Sequence, residues 1–189
     1  MPPTEKCAAS DVIQAAIQVI EKEGIAALTA RRVASEAGVS TAPVYRHFSS
    51  METLAAAAMA GVCDQILAYT KESYTPVPFL NMGTGIALFA KDHPRLYQAL
   101  FLQTDRFEEL VAGFLETLTE NMRLDPRFAG LERKRRLRLL NIMWTYTHGL
   151  ASLIAVGLAA EGSREAIIRS LQTVGQSVIR QELGTAESG

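Results

Sequence analysis

The sequence predicts an all-α protein in which a small N-terminal helix-turn-helix unit precedes a larger helical domain. Apolar residues recur at helical spacing along most of the chain, and no useful length alternates as a β-strand would. Glycine and proline interrupt these patterns, which is typical of helix ends and starts. The 189 residues, 48% of them hydrophobic, are enough to bury a substantial core.

Polar start signals and glycines set the first two predicted helices. Ser10 or Asp11 caps the first, which carries an apolar stripe and ends at Gly24. Thr29 caps the second, which is short and ends at Gly38.

The third predicted helix begins at Ser40 as its N-cap and ends near Phe48, with Pro43 in the first turn, where its missing amide has no intrahelical acceptor. Ser49 and Glu52 then form the pattern of a capping box at the start of a fourth, alanine-rich helix. Further helices are predicted over about 79–92, 94–101, 105–122, 131–160 and 163–183.

These elements divide the chain into a helix-turn-helix domain at 1–50, a larger helical domain at 51–184 and a disordered tail at 185–189. The net charge of −1 excludes a uniformly basic coat for nucleic acid. Cys7 and Cys63 lie in no metal-binding pattern, so neither a structural metal nor a disulfide framework is expected, and the reducing cytoplasm fits. The first residues lack the features of a secretion signal.

Two other functional classes find little support. The uncharged stretch 139–160 follows a basic run, as a membrane span could, but its many polar side chains favour a buried helix instead. Motifs of hydrolases, phosphate-binding loops and zinc peptidases are absent, which argues against an enzyme, and no cofactor is expected.

The third predicted helix has a chemically distinctive outer face. With Val44 pointing inward, Thr41 and Phe48 fall on the same side and His47 lies at the flank. The residues predicted to face outward are Ala42, Tyr45, Arg46 and Ser49. An arginine can donate two hydrogen bonds to guanine in the DNA major groove, and a helix N-terminus can hold a phosphate. The same residues could also be only a solvated helix face, since the helix-turn-helix occurs in proteins that bind no DNA.

The segment GIAALTARRVASEAGVSTAPVYRHFSSMETL, residues 24–54, resembles the DNA-binding segment of the TetR family of bacterial regulators. The segments HPRLYQALF and WTYTHGLASLIAVGL are similar to the regulatory domain of a TetR subgroup with a Trp-x-x-x-His-Gly (WHG) motif, here Trp144, His148 and Gly149. The resemblance implies a homodimer, usually a repressor, that a small molecule releases from its operator.

The resemblance also implies roles for individual residues of the helix-turn-helix. Pro43 would fix the start of the third helix against the groove. Base-edge contacts are expected at Thr41, Ala42, Tyr45 and Arg46. Contacts with the DNA backbone are expected at Thr29, Ser40, Tyr45, His47 and Ser50. For Arg31 and Arg32, exposed charges without a DNA contact are an equally good interpretation.

The larger domain is expected to hold the effector, a small hydrophobic or aromatic molecule, in an apolar cavity with few polar groups. The candidate ligand-binding residues are Tyr97, Phe101, Trp144 and His148. For His148, a core histidine bonded to a backbone carbonyl is the alternative.

The last two helices are predicted to form the dimer interface, because each is apolar on two sides. The residues expected there are Leu150, Leu153, Gly157, Ile167, Leu171, Val174, Gly175 and Val178. The alternative is that both helices complete the core of a monomer. Activation of transcription, or binding of a protein partner, also remains compatible with the sequence.

Overall fold

The computed structural model describes residues 7–103 and 106–184, and all regular structure within these ranges is helical. The all-α prediction is therefore confirmed. The α-helices are α1 Ala9–Glu23, α2 Ala30–Glu36, α3 Ala42–His47, α4 Met51–Lys71, α5 Pro78–Asp92, α6 Pro94–Phe101, α7 Glu108–Asn121, α8 Arg133–Ala155 and α9 Arg164–Gly184. Two short 3₁₀ turns lie at Ile25–Ala27 and Met122–Leu124. The predicted tail at 185–189 lies outside the described residues.

Helix α1 organises the N-terminal domain, because it packs against α2, α3 and α4. Its apolar stripe includes Val12, Ala16 and Ile20, each without exposed surface. On α3, Val44 alone is fully buried, at 1% exposure. A six-residue helix is too short to be stable by itself, so this packing on α1 and α2 holds α3 in place.

Helix α5 lies at the centre of the larger domain, where it packs against α4, α6, α8 and α9. Its crossing with α4 is close: a Cβ atom on Gly85 would lie 2.3 Å from the carbonyl oxygen of Tyr69. No other residue fits at that point without moving the backbone.

The two domains share a continuous packed boundary, because α4 packs on α1 and α6 also packs on α1. Arg95 at the start of α6 donates hydrogen bonds to the backbone carbonyls of Glu21 and Lys22 in the last turn of α1. His93 Nδ1 lies 3.2 Å from the Glu21 carboxylate. The orientation of the N-terminal domain is therefore tied to the start of α6.

Several predicted helix starts are displaced. Thr29 caps α2 as predicted, with its hydroxyl oxygen accepting from the Arg32 amide at 3.3 Å. Ser40 is not the N-cap of α3; that position belongs to Thr41, whose carbonyl oxygen accepts from the amides of Val44 and Tyr45. The turn after α2 needs one residue more than predicted before the chain can enter α3.

The starts of α1 and α4 are displaced as well, toward the N-terminus for α1 and by one residue toward the C-terminus for α4. Ala8 is the N-cap of α1, and Asp11 contributes from inside the first turn by accepting a hydrogen bond from the Ala8 amide at 2.7 Å. The capping box of α4 joins Ser50 and Thr53 through reciprocal 3.2 Å hydrogen bonds, one residue beyond the predicted pair. A threonine hydroxyl fills the role expected of Glu52.

Helix α8 ends at Ala155, five residues before the predicted end. Gly157 has a φ of +74°, a left-handed conformation that stops the helix. The Leu158 amide then donates to the Leu153 carbonyl at 2.8 Å, so the chain turns toward α9. The prediction of one continuous helix through 160 is therefore wrong.

Among the described helices, α4 alone is long and apolar enough to cross a membrane by length and composition. The stretch considered in the sequence, 139–160, does not meet that test. Leu54, Met59 and Ile66 of α4 have no exposed surface. A core helix of a folded domain has the same composition as α4.

Candidate DNA-binding surface and effector cavity

Helix α3 presents most of its predicted outer face to solvent. Ala42, Tyr45 and Arg46 are exposed, with 64% of Tyr45 accessible, while Val44 points into the domain. Thr41 is exposed as well, so the prediction that it packs inward is wrong; as the N-cap it lies before the first helical turn. The four residues predicted to read base edges therefore share an accessible surface.

Arg46 and His47 share an acceptor that the sequence does not reveal. Arg46 Nη2 donates to the backbone carbonyl oxygen of Cys7 at 2.9 Å, and His47 Nε2 lies 2.9 Å from the same oxygen. Cys7 directly precedes the N-cap of α1. Because the Arg46 side chain is exposed, it can exchange this carbonyl for another acceptor.

The hydroxyls predicted to contact the DNA backbone differ in their surroundings. Those of Thr29 and Ser50 accept hydrogen bonds from the first turns of α2 and α4, which leaves each hydroxyl hydrogen free to donate. Ser40 is exposed in the turn before α3, next to the N-terminus that Pro43 helps to form. A phosphate is the acceptor such donors prefer.

The charges around this surface are largely paired. Arg32 forms an ion pair with Glu23, and Lys22 pairs with Glu36 at 2.5 Å. Arg31 is exposed and has no ion-pair partner among the described residues. Of the two arginines on α2, Arg31 is therefore the one whose charge is available to a phosphate.

A cavity of about 350 Å³ opens between α6, α7 and α8. Three of the four residues predicted from the sequence to bind ligand line it. Its apolar and aromatic lining includes Phe101, Phe107, Val111, Leu115, Trp144 and His148. The fourth predicted residue, Tyr97, is fully buried behind His148 and does not line the cavity.

Tyr97 and His148 form a hydrogen-bonded pair, with the phenol oxygen 2.7 Å from His148 Nδ1. Burial raises the pKa of Tyr97 well above its usual range, so the phenol keeps its proton. Burial also lowers the pKa of His148, which favours a neutral imidazole. The alternative of a histidine bonded to a backbone carbonyl is therefore wrong, because its partner is a side chain from another helix.

The indole of Trp144 completes this cluster. It stacks on His148, with ring centroids 5.2 Å apart and planes 16° from parallel, and Phe101 contacts both rings. Ser152 Oγ is buried nearby, where its hydroxyl faces the Tyr97 phenol without a hydrogen bond of standard geometry. The Trp-x-x-x-His-Gly pattern thus places an aromatic ring and an imidazole one helical turn apart on one face of α8.

A second cavity, of about 110 Å³, lies between α5, α8 and α9, on the other side of Trp144. Its lining is mostly apolar, including Met82, Met143 and Leu171, and Arg127 at its edge is already paired with Asp125. The larger cavity holds more of the predicted residues and has space for a larger molecule.

The predicted dimer residues fall into two groups. Ile167, Leu171 and Gly175 are buried inside the subunit, the first two at 0% and 2% exposure, so placing these residues at an interface is wrong. They lie on the face of α9 that packs against α5 and α8. The residues that keep exposed or partly exposed surface are Leu150, Leu153, Gly157, Val174 and Val178.

An apolar stripe on α8 and the turn after it remains exposed. Ile142, Leu153, Val156 and Leu158 have 41%, 47%, 49% and 73% of their surface accessible. The sequence pattern included Leu153 but not Ile142 or Val156. Their exposure depends on which face of α8 packs on α5, and the sequence of α8 alone does not fix that.

Cys7 and Cys63 are both unpaired. Burial raises the pKa of the Cys63 thiol to about 11, which keeps it protonated and unreactive. Within 7–103 and 106–184, no three His, Cys, Asp or Glu side chains are grouped so that they could hold a metal ion.

Comparisons with known proteins agree with these features. Residues 12–58 match the sequence profile of the bacterial regulatory proteins of the tetR family. This match covers most of α1, all of α2 and α3, and the first turns of α4. No curated protein sequence matches the chain.

Solved structures extend the likeness to nearly the whole chain. A transcriptional regulator from Rhodococcus sp. Rha1 superposes with a TM-score of 0.74 at 20% identity, over 92% of this chain and 97% of that one. A tetR-family transcriptional regulator from Streptomyces coelicolor gives 0.72 at 16% identity, over 93% and 88%. The multidrug binding protein EbrR, complexed with imidazole, gives 0.60 at 18% identity, over 87% and 93%.

At these identities the structures establish the fold alone, and the sequence profile shows a likeness over residues 12–58. Residues 12–58 are therefore similar to the bacterial regulatory proteins of the tetR family, and the chain as a whole shares its fold with solved transcriptional regulators.

Proposed function

We propose that the protein is a cytoplasmic repressor that binds a palindromic operator as a homodimer and leaves it when a small molecule enters the larger domain. The observation that carries the proposal is the accessible face of α3, where Ala42, Tyr45 and Arg46 stand clear of the domain. An exposed arginine and tyrosine beside a helix N-terminus match the donors and apolar groups that major-groove recognition uses.

Binding of genomic fragments followed by footprinting with the purified protein tests DNA recognition. A protected palindrome is expected, with half-sites about one helical turn, 34–36 Å, apart. If no site were protected, the exposed face of α3 would be an ordinary solvated helix face without a role in DNA binding. The position of the site relative to the promoter separates a repressor from an activator, and a protein that binds only another protein would protect nothing.

Dimerisation is proposed because one short helix contacts too few bases to select a single site in a genome. The exposed stripe of Ile142, Leu153 and Val156 on α8, continued by Leu158, offers an apolar surface for a second copy. Leu153→Glu should give a soluble, helical protein whose molar mass, measured by light scattering, is that of a monomer. Leu124→Glu is the matched control, because Leu124 is 67% exposed at a different surface. A wild-type monomer at micromolar concentration would contradict the proposal.

The effector site proposed is the cavity between α6, α7 and α8. Its support is the meeting of Phe101, Trp144 and His148, three of the residues predicted to bind ligand, in one space. The imidazole bound to EbrR shows that a protein of this fold accepts a small ring compound. A compound that binds here should release the operator in a mobility-shift assay.

A further inference from the structure

The cavity between α6, α7 and α8 holds its polar groups in two different places. Gln103, Arg106 and Glu108 line it from exposed positions on the loop and the first turn of α7. His148 is half-buried against the aromatic rings of Phe101 and Trp144. The imidazole is therefore the polar group that a molecule inside the aromatic part of the cavity would meet.

The hydrogen bond from Tyr97 sets which nitrogen of His148 carries the proton. The Tyr97 phenol lies 2.7 Å from His148 Nδ1, and the nearby Ser152 hydroxyl acts on it as a donor, so the hydrogen of the phenol points at Nδ1. A neutral imidazole that accepts at Nδ1 carries its hydrogen on Nε2. Nε2 has no partner among the described residues. His148 thus offers one unused N–H donor.

The charge state of this donor limits its partner. His148 has no carboxylate or other charged group bonded to it within the described chain, and burial favours its neutral form. A neutral N–H stabilises a neutral acceptor well but does not offset the cost of burying a carboxylate. Arg106 could offset that cost, but its guanidinium is exposed and lies over the Phe107 ring at 5.4 Å.

We propose that the cavity binds an uncharged aromatic compound whose carbonyl, ether or ring-nitrogen acceptor receives a hydrogen bond from His148 Nε2. Tyr97 is a positioning residue that holds the imidazole in the required tautomer. Phe101 and Trp144 supply the aromatic wall against which the ligand ring packs. This inference rests on the proposed effector site and names the class of molecule for it.

Three probe compounds of similar shape separate the alternatives. Methyl benzoate is a neutral aromatic with an acceptor, and sec-butylbenzene has carbon in place of both ester oxygens. Benzoate carries a charge. Binding is followed by the fluorescence of Trp144, which is the one tryptophan of the chain and lies in the cavity wall. The measurement uses the full chain without DNA.

The informative quantity is the ratio of the dissociation constants of sec-butylbenzene and methyl benzoate, compared between proteins. His148→Phe keeps an aromatic ring and removes the donor, so this ratio should fall about threefold to tenfold, the usual value of one hydrogen bond. Tyr97→Phe should lower it by a smaller factor, since the imidazole then adopts both tautomers. A purely structural role would weaken both compounds equally and leave the ratio unchanged.

Tyr74→Phe is the matched control for loss of a phenol, because Tyr74 lies outside the cavity, beside Arg164. Its ratio should equal that of the wild type. Helical circular dichroism confirms that each variant is folded before titration.

Three results would overturn the inference: an unchanged ratio in folded His148→Phe, tighter binding of benzoate than of methyl benzoate, or no response to any compound at its solubility limit. Because the titration contains no DNA, it is independent of the proposed repressor function. Binding as expected, without release of an operator, would leave the ligand class standing and contradict the effector role.

Discussion

The two parts of the chain hold their candidate functional side chains in opposite surroundings. On α3, Tyr45 and Arg46 stand in solvent, and Val44 alone is buried from that helix. In the larger domain, Tyr97 is fully buried and bonds to His148, which is 51 residues away. The candidate site of the first region thus consists of exposed side chains from one short segment. The candidate site of the second region depends on how helices that are distant in sequence pack together. Substitutions should separate function from stability in the first region and couple them in the second.

The largest effect is expected at the crossing of α4 and α5. Gly85→Ala would place a methyl group 2.3 Å from the Tyr69 carbonyl oxygen, so the two helices must move apart. We expect the free energy of unfolding to fall by about 3 kcal/mol. Urea denaturation measures it.

Gly113→Ala is the control for Gly85→Ala, since nothing lies within 4 Å of the new methyl group on the exposed face of α7. That variant should gain about 0.5–1 kcal/mol of stability from helix propensity. Equal effects of the two substitutions would show that the close crossing does not limit the fold.

Arg46→Ala should produce the opposite kind of change. If Arg46 reads a guanine with two hydrogen bonds, operator affinity falls by about 1–3 kcal/mol and the preference at one base position per half-site relaxes. The free energy of unfolding should change by less than about 0.5 kcal/mol, because the side chain is exposed. Competition binding to single-base operator variants measures the preference, and an equal loss on every sequence would make Arg46 a phosphate contact.

The caps of the N-terminal domain give a smaller and sharper test. Thr29→Ala removes the hydrogen bond to the Arg32 amide and should cost about 1 kcal/mol of stability. Ser40→Ala should cost almost nothing, since Thr41 is the N-cap of α3 and Ser40 makes no capping bond. Thermal unfolding of the two variants would contradict the observed cap positions if their effects were reversed.

The smallest effect concerns the pH dependence of the larger domain. Burial lowers the pKa of His148, so as the pH falls below about 7 the unfolded chain takes up this proton before the folded chain does. Folding stability contributed by a neutral His148 is therefore fully present above its unfolded pKa and is lost as the pH falls toward the folded pKa. In His148→Phe, the unfolding midpoint should therefore depend less on pH between about pH 7 and pH 5. Identical profiles for both proteins would place His148 in ordinary solvent.

The sequence predicted the N-terminal domain well because its signals are local. Thr29 and Gly38 mark helix and turn within a few residues of the elements that they control, and the outward face of α3 follows from helical periodicity. The errors there are displaced caps, by two or more residues at Ala8 and by one residue at Thr41 and Ser50. Hydroxyl-bearing residues adjoin Thr41 and Ser50, so local pattern does not decide between neighbours.

The larger domain was predicted in outline but not in its pairings. Three residues of the cavity, Phe101, Trp144 and His148, were predicted because aromatic side chains and a histidine recur on the sixth and eighth helices. That Tyr97 lies behind His148, and that Ile167 and Leu171 face the subunit's own core, depends on the angles at which α6, α8 and α9 pack. Apolar residues on two sides of a helix indicate two buried contacts, but they do not say whether the second partner is the same chain or another copy.

The bond from Arg46 to the Cys7 carbonyl has a consequence for how the protein would discriminate among DNA sequences. Before Arg46 can reach a base, it must give up one acceptor that it already has. At a base edge with a single acceptor, Arg46 exchanges one hydrogen bond for one, so binding gains little free energy from this contact. Guanine returns two bonds for one. The α1 N-terminus would thus act as an internal competitor that penalises every site alike and leaves a net gain only where the guanidinium is held twice.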